Sequence, residues 1–280
     1  MPAEIRLDIA DLPFSLSWGE GLAPVELPAA YRPFQSDAPG GMPVALSASK
    51  RAEDAGEPVF DNAPVWTLHR QADGCRFRIF DSYPDLRRSL FLPAALDRAD
   101  LTFLASDRDP FVGPTIELIT ILRLARTAGV ILHGCGIDLA GRGVAFVGES
   151  GAGKSTLSRL WAAVEGARIL SDDRVIVRRQ ASGFRLYGSP WHGDAHFTAS
   201  GGVPLERIYF LRHGRENRFH GLPADASVRE LLRCSFPPFW DPDGISVSLD
   251  LFAELVAAVP CTEMHFVPDA TVVELLRRPA

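Results

Sequence analysis

The chain has 280 residues, of which 46% are hydrophobic and 23% are charged. These values are typical of a soluble globular protein, and they exclude a disordered chain and a small disulfide-stapled scaffold. The formal net charge of -6 provides no general attraction to nucleic acid or to anionic membranes, so we expect neither as a partner. The four cysteines are widely spaced without a CxxC pair, which favours reduced thiols over a zinc site.

The N-terminal stretch, residues 1–20, contains acidic residues and Pro13 and lacks a basic segment followed by an unbroken apolar run. It therefore does not have the pattern of a secretory signal. No apolar run in the sequence approaches the roughly 20 residues that are needed to cross a bilayer. We expect a cytoplasmic protein.

The first hundred residues are rich in proline and glycine, with short apolar bursts at 65–68 and 77–80 between turn signals. This pattern predicts antiparallel strands. Residues 37–58 contain Pro39-Gly40-Gly41, two serines and several charges, which predicts an exposed loop. We expect residues 1–112 to form a β-rich accessory region without catalytic chemistry.

The rest of the chain, residues 113–280, shows a pattern in which strands and helices alternate. Helices are predicted at 114–128, 154–164, 226–233, 248–259 and 269–277. Strands are predicted at 130–139, 144–147, 168–170, 174–177, 184–187, 208–211 and 264–267, with a turn at 140–143. The alternation predicts an α/β fold, a mixed and strongly twisted sheet with flanking helices.

A phosphate-binding motif lies between a predicted strand and a predicted helix. Residues 148–155 fit the pattern G-x-x-x-x-G-K-[ST], which defines a P-loop. The glycines let backbone N–H groups face phosphate oxygens, Lys154 adds a positive charge, and Ser155 supplies a hydroxyl for Mg²⁺. We therefore expect binding of ATP and Mg²⁺ through Gly148, Glu149, Ser150, Gly151, Ala152, Gly153, Lys154, Ser155 and Thr156. The alternative, a glycine-rich turn with a surface lysine, does not account for the two hydroxyl residues after the lysine.

Two adjacent acids, Asp172 and Asp173, follow the motif between apolar extended segments. Two carboxylates beside a P-loop can divide two tasks, since one can hold Mg²⁺ while the other accepts a proton from an attacking hydroxyl. A solvated turn is the alternative, because aspartate favours turns. The P-loop favours a catalytic pair.

Residues 130–177 resemble the catalytic domain of HPr kinase/phosphorylase and, more distantly, phosphoenolpyruvate carboxykinase. The resemblance rests on His133-Gly134-Cys135-Gly136-Ile137-Asp138, on residues 148–155 and on Leu170-Ser171-Asp172-Asp173-Arg174-Val175, in the family's order. Residues 266–270 also resemble the closing segment of related proteins. The resemblance implies that Asp172 is the general base, that Asp173 helps Ser155 to hold the metal, and that His133 lies near the transferring phosphate with Lys154. The roles of the two aspartates can be exchanged.

The sequence departs from the family after the aspartate pair. Residues 188–194, Gly-Ser-Pro-Trp-His-Gly-Asp, stand where an HPr kinase is expected to carry a glycine-rich signature loop with an acidic residue. HPr is therefore not implied as the acceptor. Trp191 and His192 can line an acceptor pocket beside Asp194, or they can form a turn that a half-buried tryptophan anchors. An arginine that stabilises the transferred charge is expected among Arg212, Arg215, Arg218 and Arg233.

The expected function is an ATP-dependent kinase that transfers the γ-phosphoryl group to a hydroxyl, of serine type, on a protein, peptide or small molecule. One alternative is a nucleotide-gated binding or regulatory protein without productive transfer. The other is a different P-loop chemistry, such as ATP hydrolysis coupled to motion or a carboxykinase-like reaction. HPr-kinase relatives are often oligomeric, so the resemblance allows a homo-oligomer. The acceptor and a reverse, phosphorylase reaction are left open.

Overall fold

A computed structural model of the chain describes residues 4–106 and 108–277, apart from the side chains of Asp81 and Ser82. The chain divides into two compact units, Met1–Arg123 and Leu124–Ala280. The predicted division into an accessory region, residues 1–112, and a kinase region, residues 113–280, stays a prediction. Among the described residues, no helix is long and apolar enough to cross a membrane.

The first unit contains one eight-stranded sheet. Its strands are β1 (Glu4–Asp8), β2 (Pro13–Trp18), β3 (Met42–Ala48), β4 (Pro58–Asn62), β5 (Trp66–Gln71), β6 (Gly74–Ser82), β7 (Asp85–Pro93) and β8 (Ala99–Phe103), with a short 3-10 helix at Arg32–Phe34. The order is β1-β2-β3-β8-β7-β6-β5-β4, and within the described strands of this sheet only the β2–β3 and β3–β8 pairs are parallel. The predicted β-rich character of this region is therefore confirmed.

The loop that was predicted at residues 37–58 is wrong in part, because strand β3 lies within it. Met42, Val44 and Leu46 are buried and alternate with exposed neighbours, which is the two-residue period of a half-buried strand. The turn residues Pro39-Gly40-Gly41 only precede this strand. The turn-like composition of the whole segment concealed the two-residue period of these seven residues.

The second unit contains the other sheet and most of the helical residues. Its elements are β9 (Gly129–Leu139), β10 (Arg142–Val147), α2 (Lys154–Ala162), β11 (Ala167–Ser171), β12 (Arg174–Gln180), β13 (Gly183–Tyr187), β14 (Gly202–His213), β15 (Arg218–Gly221), α3 (Ala224–Arg233), α4 (Pro242–Ala258), β16 (Cys261–Phe266) and α5 (Ala270–Arg277). Helix α1 (Thr115–Arg126) crosses the boundary between the units in sequence. All five predicted helices are present in the described chain, and four have bounds within three residues of the prediction, whereas α4 begins six residues before its predicted start at Ser248.

The second sheet closes on itself. Seven of its strands follow the order β10-β9-β12-β13-β14-β16-β15, and the eighth, β11, pairs with β9. Because β10 also pairs with β14, the strands β10, β9, β12, β13 and β14 form a ring. Strands β9 and β14 are long enough, at 11 and 12 residues, to pair with different neighbours at their two ends. In β9, residues 129–133 pair with β12 and residues 134–139 pair with β10.

The predicted α/β fold is wrong. The chain is mostly β, with 40% strand and 22% helix, and it forms two eight-stranded mixed sheets that are largely antiparallel rather than a P-loop α/β fold. The physical reason lies in the connections between strands. Ala140 and Gly141 both have positive φ values, 52° and 86°, which is the backbone of a two-residue hairpin turn and makes β9 and β10 antiparallel. Helices α3 and α4 also follow each other with no strand between them.

Leu186 of β13 is a central residue of the core of this sheet. Its side chain is fully buried in the cluster that also contains Leu170 and Val175. A Cβ atom at Gly136 or at Gly143 would lie 3.3 Å from Leu186, which is a tight contact. The two glycines therefore leave room for the leucine where the strands approach each other closely.

Replacement of Leu186 by alanine should lower the free energy of unfolding by about 3 kcal/mol, because it removes buried methyl groups and leaves a cavity. The matched control is Leu249→Ala on α4, where the leucine is 41% exposed and the change should stay below about 1 kcal/mol. Urea unfolding of both variants measures the difference. Equal losses in the two variants would contradict the placement of Leu186 in the core.

Candidate active site

The loop that joins β10 to α2, residues 148–153, is called the glycine loop below. Gly151 and Gly153 have φ values of 81° and 99°, in the region that favours glycine. A Cβ atom at Gly153 would also lie 2.6 Å from the ring of Phe266, so no other residue fits there without a shift. Helix α2 begins directly after this residue, and its positive N-terminal end therefore faces the loop.

Lys154 is held inside the glycine loop. Its side chain is buried, and its Nζ donates hydrogen bonds to the carbonyl oxygens of Gly148 (2.9 Å) and Glu149 (2.8 Å). Burial lowers the pKa of the ammonium group, although the nearby Asp173 carboxylate opposes this effect. The loop therefore encloses a cationic group that anionic oxygens can attract away from the two carbonyls.

Asp172 is fully buried, between the end of β11 and the start of β12. Its carboxylate accepts hydrogen bonds from three backbone N–H groups, those of Gly193 (3.1 Å), Ala195 (2.9 Å) and Phe197 (3.2 Å). The hydroxyl of Ser155 lies 3.3 Å from its Oδ2 and donates a fourth. Asp172 thus fixes the backbone of a neighbouring loop beside the N-terminus of α2.

Asp173 has a different environment, although it is the next residue. Its side chain is 23% exposed, and its two oxygens contact His133 Nε2 (3.1 Å) and an Arg174 guanidinium nitrogen (2.8 Å). Burial raises the pKa of Asp173, but the hydrogen bond with His133 and the charge of Arg174 outweigh it and hold the pKa below its usual range. This carboxylate is therefore ionised at neutral pH and reachable by a ligand.

The pairing of β9 with β12 explains why these three side chains meet. Arg174 lies opposite His133 in the antiparallel register, so the residue before Arg174 is placed next to the imidazole. The ring of Phe236 supports both partners, since its centroid is 5.0 Å from the Arg174 guanidinium carbon and 6.1 Å from the His133 ring centroid. The surroundings of Asp173 are thus set by strand register rather than by a mobile loop.

A cleft of about 380 Å³ brings most of the predicted site together. Its lining residues are His133, Ser150, Gly151, Gly153, Lys154, Ser155, Thr156, Arg159, Asp173, Gly193 and Asp194. Gly148, Glu149 and Ala152 belong to the glycine loop but do not line the cleft, and Asp172 lies behind its wall. The cleft therefore joins the glycine loop to Asp173, the more exposed of the two aspartates.

Of the residues considered for an acceptor pocket, Asp194 lines the cleft, whereas Trp191 and His192 do not. The carbonyl oxygen of Trp191 accepts a hydrogen bond from the hydroxyl of Ser171 (3.3 Å), and the His192 ring lies against that of His196, with centroids 4.5 Å apart. These contacts are those of a folded turn. They support the turn that the sequence left open at this position.

The arginine at the cleft is not one of the four predicted residues. Arg212, Arg215, Arg218 and Arg233 do not line it in the described structure. Arg159 does, and its guanidinium donates to the Asp194 carbonyl oxygen at 3.1 Å. The sequence contains a signal for this residue, because Arg159 follows Ser155 by four positions and therefore lies one turn along α2 on the same face.

The residues beside Ser155 fit a magnesium ion. The described chain contains no cluster of three His, Cys, Asp or Glu residues that would hold a metal without other ligands. The Ser155 hydroxyl nevertheless lies 3.3 Å from Asp172 Oδ2, and a Cβ atom at Gly193 would lie 2.9 Å from Asp172 Oδ2, 3.1 Å from Asp173 Cβ and 3.5 Å from Ser155 Oγ, so the three side chains surround one point. A hard ion with few protein ligands, completed by water and phosphate oxygens, matches the preference of Mg²⁺.

Replacement of Asp172 by asparagine should destabilise the fold by about 2 kcal/mol, because an amide nitrogen would face backbone donors. Amide hydrogen exchange at residues 193–197 should become faster. Asp194→Asn is the matched control in the same loop, where the exposed side chain predicts a change below about 0.5 kcal/mol. Urea unfolding and exchange measured by mass spectrometry test this, and unchanged exchange in Asp172→Asn would contradict the anchoring role.

Comparison with models of known protein families finds no match, and comparison with curated proteins finds no significant similarity. The resemblance to HPr kinase/phosphorylase therefore rests only on the short segments at 133–138, 148–155, 170–175 and 266–270.

Proposed function

We propose that the protein is an ATP-dependent kinase that transfers the γ-phosphoryl group to a hydroxyl acceptor. The observation that supports this most strongly is that one cleft is lined by a buried lysine within a glycine loop, by Ser155 and by the ionised carboxylate of Asp173. Binding, charge neutralisation and proton acceptance require these three groups within reach of one phosphate.

The triphosphate is proposed to bind at the glycine loop. Lys154 now donates to the carbonyl oxygens of Gly148 and Glu149, and phosphate oxygens would replace these neutral acceptors with charged ones. The N-terminus of α2 adds backbone N–H groups and a positive dipole end. Arg159, on the same helix, supplies a second cation at the cleft wall for the charge of the transferred group.

Ser155 is proposed to hold Mg²⁺ with the help of the Asp172 carboxylate, whose Oδ2 lies 3.3 Å from the Ser155 hydroxyl, and the bound ion would neutralise phosphate charge. The resemblance implied that Asp172 is the general base and that Asp173 helps to hold the metal, and the geometry favours the opposite assignment. Both oxygens of Asp172 already accept backbone hydrogen bonds, and the residue is fully buried. Asp172 therefore suits the positioning of Ser155 and its loop better than proton transfer.

Asp173 is the better candidate for the general base, because it lines the cleft and is ionised. Its lowered pKa makes it a weak base, yet phosphoryl transfer passes through a loose transition state in which the acceptor hydroxyl loses its proton late. A weak base that is correctly placed is therefore sufficient. His133 and Arg174 hold the carboxylate in one orientation during this step.

A nucleotide-gated binding protein is the second candidate, and a specific set of contacts favours it. Glu149 of the glycine loop forms an ion pair with Arg233 at the end of α3 (3.2 Å), and the carbonyl oxygen of Gly151 contacts His213 of β14 at 2.8 Å. Rearrangement of the loop around phosphate would disturb both contacts. Nucleotide binding could thus be transmitted to α3 without any transfer reaction.

Replacement of Lys154 by alanine should weaken MgATP binding by about 10-fold to 100-fold, because a charge-assisted hydrogen bond contributes roughly 1.5–3 kcal/mol. The control is Lys50→Ala, which replaces the other of the chain's two lysines. Lys50 is exposed and lies outside the glycine loop, so its replacement should leave the MgATP affinity unchanged. Isothermal titration calorimetry measures both. If Lys154→Ala bound MgATP as tightly as the wild type, the glycine loop would not be the phosphate site.

Replacement of Asp173 by asparagine should lower the rate of phosphoryl transfer by about 10²-fold to 10⁴-fold, the usual contribution of a general base, while MgATP affinity changes less than about threefold. The measurement is transfer of γ-labelled phosphate to serine-containing peptides and small hydroxyl compounds. Asp225→Asn, on the surface of α3, is the control. If the wild type binds MgATP but labels no acceptor in the panel, the nucleotide-gated binding protein becomes the favoured function.

A further inference from the structure

A second pocket of about 650 Å³ lies in the same unit as the cleft, and none of the residues that line it lines the cleft. It is formed by strands β10, β14 and β15 with helices α2 and α5. Its volume is within the range of pockets that hold small organic molecules, about 300–1,000 Å³. The proposed kinase chemistry does not use it.

The walls of this pocket are aromatic. Phe146 of β10 stacks on Tyr209 of β14, with ring centroids 5.4 Å apart and an interplanar angle of 13°, and Phe219 of β15 meets the Tyr209 ring edge-on at 5.8 Å. Trp161 and Leu276 line it from the two helices. Phe146 and Trp161 are buried behind the wall, so Tyr209 and Phe219 supply the aromatic surface that a ligand can reach. Phe219 remains 37% exposed, so the pocket presents apolar surface to solvent. Such a surface is complementary to a flat, apolar ligand body.

The polar residues of the pocket carry positive charge. Three arginines, Arg142, Arg207 and Arg277, line it together with one acid, Glu206, which lies 3.8 Å from Arg142. The guanidinium of Arg207 lies over the Tyr209 ring at 5.9 Å, next to the aromatic wall. This local excess of positive charge contrasts with the formal net charge of -6 of the whole chain. It favours an anionic group at the edge of the apolar body.

We propose that this pocket is a second ligand site that takes a small aromatic carboxylate. The aromatic walls bind the ring system, and Arg207 pairs with the carboxylate. The size of the pocket, its aromatic lining and its charge are three independent features that agree on this class of ligand. The proposal does not depend on nucleotide binding or on phosphoryl transfer, so it is tested on the nucleotide-free protein.

The experiment uses 2-naphthoate as the probe, with the full-length chain in isothermal titration calorimetry. Wild type should bind it with a negative heat-capacity change, because apolar surface is buried. Leu276→Trp should weaken binding at least tenfold by filling the pocket. Arg207→Gln should weaken it at least threefold, whereas Arg229→Gln, which removes a surface arginine of α3, should have no effect. The uncharged 2-naphthalenemethanol should bind the wild type at least threefold less tightly than 2-naphthoate.

Several results would overturn the proposal. It fails if the wild type does not bind 2-naphthoate, if Leu276→Trp binds it as tightly as the wild type, or if the alcohol binds as tightly as the carboxylate. It also fails if Arg207→Gln and Arg229→Gln behave alike. Circular dichroism establishes that Leu276→Trp is folded, and if it is not, the comparison of the two arginine variants and of the two probes decides the question.

Discussion

The buried carboxylate of Asp172 is the interaction on which the arrangement of the cleft depends. A carboxylate without water is costly unless hydrogen bonds satisfy it, and here three backbone N–H groups and the Ser155 hydroxyl do so. These bonds join three separate segments: the connection from β11 to β12, the loop at 193–197 and the start of α2. Because Asp173 is covalently attached to this anchor, its position at the cleft is fixed with little remaining freedom.

The two aspartates show how neighbouring residues of one type acquire different chemistry. Asp172 faces backbone donors inside the protein, whereas Asp173 faces a histidine and an arginine at the edge of a cleft. Two carboxylates that are adjacent and both buried would repel each other, and exposure of one of them to cations relieves this repulsion. One buried structural carboxylate and one partly exposed reactive carboxylate is thus both the arrangement that limits repulsion and the arrangement that the proposed phosphotransferase needs.

The sequence predicted what depends on local interactions. The glycine loop was recognisable because its backbone conformation, Lys154 and Ser155 all lie within eight consecutive residues. The closure of the sheet was not, since β10 pairs with residues that follow it by more than 60 positions, as in Ala145 with Ile208. The hydrogen bonds that the backbone of residues 193–197 donates to Asp172 also join positions more than 20 apart in the sequence, whereas the four-residue spacing of Ser155 and Arg159 is a local pattern. Lys154 is also distinctive in composition, because the chain has only one other lysine among its 29 lysine and arginine residues.

His133 shows why a mostly β scaffold can support such a cleft. Its backbone N–H donates to the carbonyl oxygen of Cys234 (2.8 Å), its carbonyl oxygen accepts from the N–H of Gly148 (3.1 Å), and its imidazole contacts Asp173. One residue in the middle of β9 therefore contacts the start of the glycine loop, the end of α3 and the candidate base. His133 lies where β9 changes its partner, because residues 129–133 pair with β12 and residues 134–139 pair with β10. Displacement of His133 would therefore break its backbone hydrogen bonds with Cys234 and Gly148 at the junction of the two pairings. The precision that the proposed transfer needs thus comes from strand pairing, which holds the residues of the cleft even though the predicted α/β architecture is absent.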